Sequence, residues 1–317
     1  MLRMGRQDVI IAMTTPPFVY LLALAHKLRR RDVRIILWSM DVYPEVADRL
    51  RPSPWLRPVS RALRAVNAWA LPKLDSVVVL DQAMADLVVS AGAPSARVHT
   101  IPNWERGELY SGSAPDIWPG YADLGIEDDF VVLYLGNVGL GHEIDTIVEA
   151  AGLLRSDDRI RFLFVGGGPR WEELRSRTAD LDVVITHGYV DKTETPSVLA
   201  GADSAVIVLD ERALGVMSPS KLHGSLGMGL PITYIGPLGS NVAEAIEAFD
   251  CGVRVDNGGA HDLVAALRYW RDNTARHDAA ATNARRAFEA AYADTATLPR
   301  WDDLLDGVAG QASSERK

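Results

Sequence analysis

The stretch Gly215-Val216-Met217-Ser218-Pro219-Ser220-Lys221-Leu222-His223-Gly224, closing with Gly229-Leu230-Pro231, decides how this chain folds. It follows Ala205 to Leu209, an apolar run with the length and composition of a buried strand. A Gly/Ser/Pro loop comes next. The pattern then enters a helix near Pro219, because proline suits a first helical turn and serine, here Ser218, caps one. Strand, glycine-bearing loop and helix in that order is the repeating unit of a doubly wound parallel sheet. The loop also carries chemistry. A helix N-terminus presents unpaired N–H groups and a partial positive charge, and Lys221 adds a full charge there. A lysine in a first turn opposes the helix dipole, so an anion such as phosphate would reconcile the two. A solvated lysine on an ordinary strand–loop–helix is the plainer alternative.

The same rhythm extends on both sides. Val131 to Leu135, Arg161 to Val165, Val183 to Thr186, Ala205 to Leu209 and Ile232 to Ile235 read as five strands with helices between them. Helices Ala260 to Trp270 and Ala279 to Tyr292 follow, and an amphipathic piece, Leu298 to Leu305, is expected to cross back to the first half. Upstream, Asp8 to Met13, Arg34 to Trp38, Ser76 to Leu80 and Val98 to Ile101 read as strands. Phe18 to Arg30, Leu56 to Ala70 and Gln82 to Ser90 read as helices. Residues 104–129 break the alternation with glycine, proline and an acidic run. The expected fold is α/β, with two Rossmann-like doubly wound domains. The first covers residues 1–110, a linker 111–129, the second domain 130–292 and a returning helix with its tail 293–317. The first domain reads as incomplete, with four strands where a doubly wound domain has about five or six.

Composition narrows the function. The single cysteine, Cys251, excludes an internal disulfide framework and any multi-cysteine metal site. The seven histidines lack ligand spacing, so no structural metal is expected. Val9 to Ala25 is apolar and follows Arg3 and Arg6. Thr14-Thr15-Pro16-Pro17 interrupts it, which favours strand, turn and helix over a signal peptide or membrane span. Charge is unevenly placed. Residues 1–110 hold 15 Lys and Arg against 10 Asp and Glu, a net +5, and the remainder holds 18 against 32, a net −14. Such asymmetry points the first half towards an anionic surface or substrate. Arg49, Arg51, Arg57, Arg61 and Arg64, interleaved with Trp55, Leu56, Leu63 and Trp69, fit an interfacial amphipathic helix. They fit equally a surface helix whose apolar face packs on the sheet. No nucleic-acid recognition motif accompanies these charges.

Ligands of open α/β sheets bind at the carboxyl ends of the strands. Four loops of the second half lie there. They are Gly136-Asn137-Val138-Gly139-Leu140-Gly141-His142, Gly166-Gly167-Gly168-Pro169, His187-Gly188-Tyr189-Val190, and Asp210 through Lys221. Their glycines allow a ligand close to the backbone. The spacing is not that of a P-loop, and no acidic ribose reader accompanies the Gly136 turn, so P-loop hydrolysis and hydride transfer are disfavoured. In the first half, Trp38-Ser39-Met40-Asp41-Val42-Tyr43-Pro44-Glu45 ends a strand and brings two carboxylates, Asp41 and Glu45, to the equivalent edge. Burial would raise such a carboxyl towards a useful base. Alternatively, Asp41 caps a short helix begun by Pro44.

Taken together these motifs resemble glycosyltransferase family 4. D-V-I-I-A-M-T-T-P-P from Asp8, W-S-M-D-V-Y-P-E from Trp38 and I-P-N-W from Ile101 are similar to its amino-terminal domain. L-G-N-V-G-L-G-H-E-I-D-T from Leu135, F-V-G-G-G-P from Phe164 and P-S-K-L-H-G-x-L-x-M-G-L-P from Pro219 are similar to its carboxy-terminal domain. The branch it most resembles is that of the colanic-acid and O-antigen exopolysaccharide enzymes.

The resemblance implies a GT-B fold and transfer, with retention and without a metal, of a sugar from a nucleotide-sugar. The nucleotide-sugar is a co-substrate rather than a cofactor. The acceptor would be a glycan or polyprenyl-linked sugar at the inner face of a bacterial plasma membrane, with the protein cytoplasmic and peripheral on that anionic surface. Carried over by position, Gly136, Asn137 and His142 would lie near the donor diphosphate with Gly166 and Gly167. Lys221 and the amides around Gly215, Val216 and Ser220 would hold it. Val190 would meet the base through its backbone, and Glu211 a donor-sugar hydroxyl. Thr15, Pro16, Asp41 and Glu45 would stand on the acceptor side, with Asp41 and Lys221 as the catalytic pair. Two departures stand out. The family's E-x7-E pair corresponds here to Val216 and Gly224, and members normally begin with about two more β/α units, roughly 100 residues. A truncated non-catalytic nucleotide-sugar-binding remnant, half of a split enzyme, and a nucleotide-dependent epimerase of the same shape are the rival readings.

Overall fold

Strands of three to eight residues, most of them apolar runs, generate two parallel sheets. The computed structural model describes residues 8–111, 115–154 and 159–314. Arg3, Arg6 and Gly112 lie outside the described residues. In the first half the order is β1 (Val9–Met13), α1 (Tyr20–Lys27), β2 (Arg34–Trp38), α2 (Glu45–Leu50), α3 (Arg57–Ala70), β3 (Ser76–Val79), α4 (Gln82–Ser90) and β4 (Val98–Thr100). These strands form a four-stranded parallel sheet in sequential order, with Ile10 opposite Ile35 and Ile36 opposite Ser76. All four residues of β3 are buried, as in a strand covered on both faces.

A short helix, α5 (Gly120–Asp123), leads into the second half. There follow β5 (Phe130–Asn137), α6 (Asp145–Leu153), β6 (Ile160–Gly167), α7 (Trp171–Arg177), β7 (Val184–His187), α8 (Thr195–Ala200), β8 (Ser204–Val208), α9 (Lys221–Met228), β9 (Ile232–Ile235), α10 (Asn241–Phe249), β10 (Gly252–Val255), α11 (Ala260–Asp272), α12 (Thr274–Ala287) and α13 (Asp294–Ser314). The second sheet is parallel and six-stranded, in the order β10-β9-β8-β5-β6-β7. Strand order reverses between β5 and β8. The loops that leave these two strands therefore flank the crevice where such sheets bind ligands.

Several expectations need correction. β10 is a sixth strand that the sequence reading missed. It needs Gly252, since a Cβ there would stand 2.2 Å from the Ile232 carbonyl oxygen. The helix expected near Pro219 begins at Lys221, and Ser218 does not cap it. The Ser218 side chain instead hydrogen-bonds Asp81, the residue that caps α4 through the Met84 amide at 2.8 Å. Asp41 caps no helix either, because α2 starts after Pro44 without a side-chain cap. The expected helix at Ala279 starts earlier, at Thr274, where Asn273 caps it.

Each sheet has its own core. In the first half, α1 and α4 cover one face through Tyr20, Ala23, Leu24, Met84 and Val88. α13 returns to cover the other face, where Trp301 and Val308 pack on Ile36, Val78 and Ile101. The halves meet along one seam. Asp41 and Met217 form an antiparallel bridge, the Val42 amide donates to the Val216 carbonyl at 3.0 Å, and Arg49 donates to the Leu214 carbonyl at 2.8 Å. Among the described residues no helix is long and apolar enough to cross a membrane.

Candidate functional site

The carboxyl edge of the second sheet is closely packed backbone around one lysine. β5 and β6 stay paired to their last residues, Gly136 opposite Gly166 and Asn137 opposite Gly167. Gly166 has φ of +146°, and a Cβ there would stand 2.3 Å from the Gly136 carbonyl oxygen. Only glycine permits this approach. A Cβ on Gly136 would touch the Lys221 side chain at 3.5 Å, so the lysine runs directly beneath this turn.

Lys221 is the first residue of α9, where the leading amides have no intrahelical acceptor. Its ammonium donates to the Asn137 carbonyl at 3.1 Å and lies 4.6 Å from the Tyr134 ring centroid. Burial pushes its pKa down to about 8, so the lysine remains mostly charged at neutral pH. An unpaired cation beside free helix amides is a ready anion site.

His142 supports this turn without a charge of its own. Its Nδ1 accepts the Gly139 amide at 2.9 Å and lies 2.6 Å from the Tyr134 hydroxyl. Burial first, then the neighbouring Lys221 charge, holds its pKa down at about 3. It is therefore a neutral imidazole at physiological pH. Arg170 clamps the same segment by donating to the His142 carbonyl at 2.7 Å, and it is held in place by Glu173. Tyr134, Arg170 and Tyr189 were missed in the sequence. Tyr189 is exposed, its ring lies over Gly167, and its hydroxyl reaches the Asn137 side chain.

The remaining candidates divide. Ser220 is exposed at the cap position of α9, with no side-chain cap bond. Glu211 is exposed at the start of a short 3-10 turn on the same loop. Val190 packs its side chain against the core. Gly215 and Val216, expected to offer amides to a diphosphate, both lie on the seam between the halves, and the Val216 amide is already engaged. The Val216 amide donates to Ala213 at 3.1 Å, and its carbonyl accepts from Val42. Gly215 has φ of +73°, and a Cβ there would stand 2.7 Å from the Ala83 carbonyl oxygen.

On the first-half side, Thr15 and Pro16 are exposed beside the buried Thr14, whose hydroxyl accepts the Met40 and Asp41 amides at 3.2 and 3.3 Å. Burial raises the Asp41 pKa. Its surroundings form a cavity of about 30 Å³, shared with Thr14, Tyr20, Ser39, Tyr43 and Asn67, which is room for a water-sized group. Glu45, expected beside Asp41 on the acceptor side, has a partner of its own. It is buried and bound to Arg64 at 3.1 Å, a structural ion pair. A roomier cavity of about 690 Å³ lies between β4 and α13, but its Arg97 and Arg300 are already bonded to backbone carbonyls. Among the described residues no group of three His, Cys, Asp or Glu could hold a metal.

Comparison with known proteins fits this geometry. The family model described as Glycosyl transferases group 1 matches residues 129–273, and that described as Glycosyl transferase 4-like domain matches residues 1–104. WbjE of Pseudomonas aeruginosa, named as a glycosyltransferase, is 25% identical over 79% of this chain and 62% of its own length. WcaI of Escherichia coli K12, named as a glycosyl transferase of colanic acid biosynthesis, is 24% identical over 66% of this chain and 53% of its own length. The chain thus spans only part of these two relatives. Among solved structures, HepE of Anabaena in complex with UDP superposes with a TM-score of 0.76 at 16% identity, over 95% of this chain and 79% of that one. HepE has also been solved with UDP-glucose.

Proposed function

The chain belongs to the group 1 glycosyltransferases, with a glycosyltransferase 4-like amino-terminal part, and on that premise we propose that it transfers a sugar from a nucleotide-sugar to a lipid-linked or polysaccharide acceptor of the cell surface. Its two parallel-sheet domains are of the GT-B type. Transfer proceeds with retention and without a metal, at the cytoplasmic face of a bacterial plasma membrane.

One observation carries this reading. Lys221, a partly buried cation with no acidic partner among the described residues, heads α9 beneath the Gly136–Gly166 crossing. Its ammonium, with the leading amides of α9 and the Ser220 hydroxyl, neutralises the donor diphosphate. The same charge stabilises the leaving nucleotide as the glycosidic bond breaks, in the manner of preorganised electrostatics. Gly136, Asn137, Gly166 and Gly167 form the wall beside it, Val190 meets the base, and Glu211 reaches the donor sugar. Asp41 stands on the acceptor side, four residues from Lys221 across its bridge to Met217.

Isothermal titration with UDP-, GDP- and dTDP-sugars, repeated with Lys221→Ala, tests the donor site. Micromolar binding that the variant loses supports it, and unchanged affinity in the variant overturns it. Incubation with radiolabelled donor and a lipid-linked acceptor then separates transfer from binding without turnover.

A further inference from the structure

Two helix N-termini come together across the seam between the domains. α4 begins at Gln82 in the first domain, and α10 begins at Asn241 in the second. The leading amides of a helix have no acceptor within it. Here one amide from each helix finds its acceptor in the other domain. The Asn241 amide donates to the Asp81 carboxylate, and the Gln82 amide donates to the Glu244 carboxylate.

Asp81 holds more than this one amide. It caps its own helix through the Met84 amide at 2.8 Å, and it accepts the Ser218 hydroxyl. Its donors therefore come from α4, from the β8–α9 loop and from α10. The side chain of Asn241 adds a further tie, donating to the Pro219 carbonyl at 3.2 Å. Ser218 and Pro219, which stand just before the head of α9, are thus both held, one by Asp81 itself and the other through Asn241. Asp81 is 1% exposed, so water does not compete for these bonds.

No lysine or arginine is among the groups acting on Asp81 or Glu244. The partial positive charge of the two helix N-termini faces them instead. Burial raises the pKa of both carboxyls, and the Asp81 charge raises that of Glu244 further. Hydrogen bonds weaken steeply with misalignment, whereas apolar surfaces can slide over one another. Bonds from Asp81 and Glu244 in both directions across the seam therefore fit one relative placement of the domains.

We propose that Asp81, with Glu244 opposite, is a positioning residue that clasps the two domains in one placement and fixes the head of α9. The inference deepens the proposed function and rests on that reading. Reacting atoms must approach to about 3–3.5 Å, with the donor at Lys221 and the acceptor carried by the first domain. Slack at the seam then reduces turnover before it reduces donor binding.

Amide hydrogen exchange, resolved to single residues, tests the clasp without any substrate. Asp81→Ser keeps a good helix cap but is too short to reach the second domain. It should speed exchange at Asn241, in the other domain, by about ten- to hundredfold, the scale of losing one hydrogen bond to a charged group. Glu244→Ala should do the same at Gln82. Exchange unchanged at the opposite amide in both variants would overturn the clasp. In the transfer assay, both variants should lower kcat by up to about a hundredfold while the donor Kd stays within about twofold of wild type. Loss of kcat and affinity in equal measure, following the melting temperature, would make Asp81 a helix cap and nothing more. Exchange needs no turnover, so the clasp is decided apart from the transferase reading. Absence of transfer by wild type would overturn that reading and the positioning role with it, whatever exchange shows.

Discussion

The ammonium of Lys221 and the carbonyl oxygen of Asn137 lie 3.1 Å apart, linking the start of α9 to the end of β5. They join the two loops on either side of the point where strand order reverses. A carbonyl is a neutral partner for a partly buried cation, and a diphosphate is a better one. Replacing Lys221 with Met should therefore weaken nucleotide-sugar binding by about 10–10²-fold, at about 1.5–3 kcal/mol for a hydrogen bond to a charged group. Titration calorimetry checks the loss, and thermal denaturation checks that the fold survives.

The same lysine sets a pH dependence. Its pKa is lowered to about 8 by burial, and only its protonated form attracts an anion. Donor affinity should fall as pH rises through about 8, and Lys221→Met should flatten that limb. The sign for stability is opposite. An unfolded chain holds this proton up to about pH 10.4, so folding gains from Lys221 as pH rises from 8 towards that value. Affinity and melting temperature measured across this window should move in opposite directions.

Gly166→Ala should disrupt the crossing of the β5 and β6 ends. The new Cβ meets the Gly136 carbonyl oxygen in a backbone region that other residues rarely adopt. A cost of about 1–3 kcal/mol is expected, with loss of donor binding. Gly188→Ala, where nothing lies within 4 Å, should stay within about 0.5 kcal/mol of wild type. Urea denaturation of the two variants provides the comparison.

Gly215→Ala should act on the seam between the domains instead. Its Cβ would strike the Ala83 carbonyl oxygen, which belongs to α4 in the first half. Small-angle scattering should show a more extended particle. Transfer should fall further than donor affinity, because the diphosphate partners on α9 remain.

Arg64→Gln should leave Glu45 buried without its counter-ion. The expected cost is about 1–3 kcal/mol, below the range for a fully enclosed pair because Arg64 is itself half exposed. Chemical denaturation measures it, and restoring the charge with Arg64→Lys should recover part of the loss.

Much of the fold was legible because buried parallel strands are apolar runs bounded by turns. Arg34–Trp38, Ile232–Ile235 and Gln82–Ser90 have the bounds read from the sequence. β10 escaped because four residues, one of them glycine, give too short a pattern. Lys221 and the Gly136 and Gly166 turns were legible as a cluster, since a glycine after each strand is a backbone requirement written in the sequence. Gly215 was not, because a positive φ is needed equally by a turn facing a ligand and by one facing another domain. Tyr134 read as core, and nothing local reveals that its hydroxyl meets His142 and Asn137. For α3, periodicity revealed its apolar and basic positions but not that Ser60, Asn67 and Ala70 would be the ones turned inward. That depends on partners such as Asp48 and Tyr43, which only the tertiary fold supplies.

The loop between β8 and α9 has two masters. Its first part, Leu214 to Met217, is gripped by Arg49, Val42 and Asp41 of the first domain. A few residues on, it becomes the lysine-bearing head of α9. On the proposed function, a ligand that shifts the first domain would act on the donor site through this short peptide. Thermodynamic reciprocity then applies. By whatever factor an acceptor in the first domain changes donor affinity, the donor must change acceptor affinity by the same factor. On the proposed function, coupling between donor and acceptor would run through this loop, measurable as a single constant from either side.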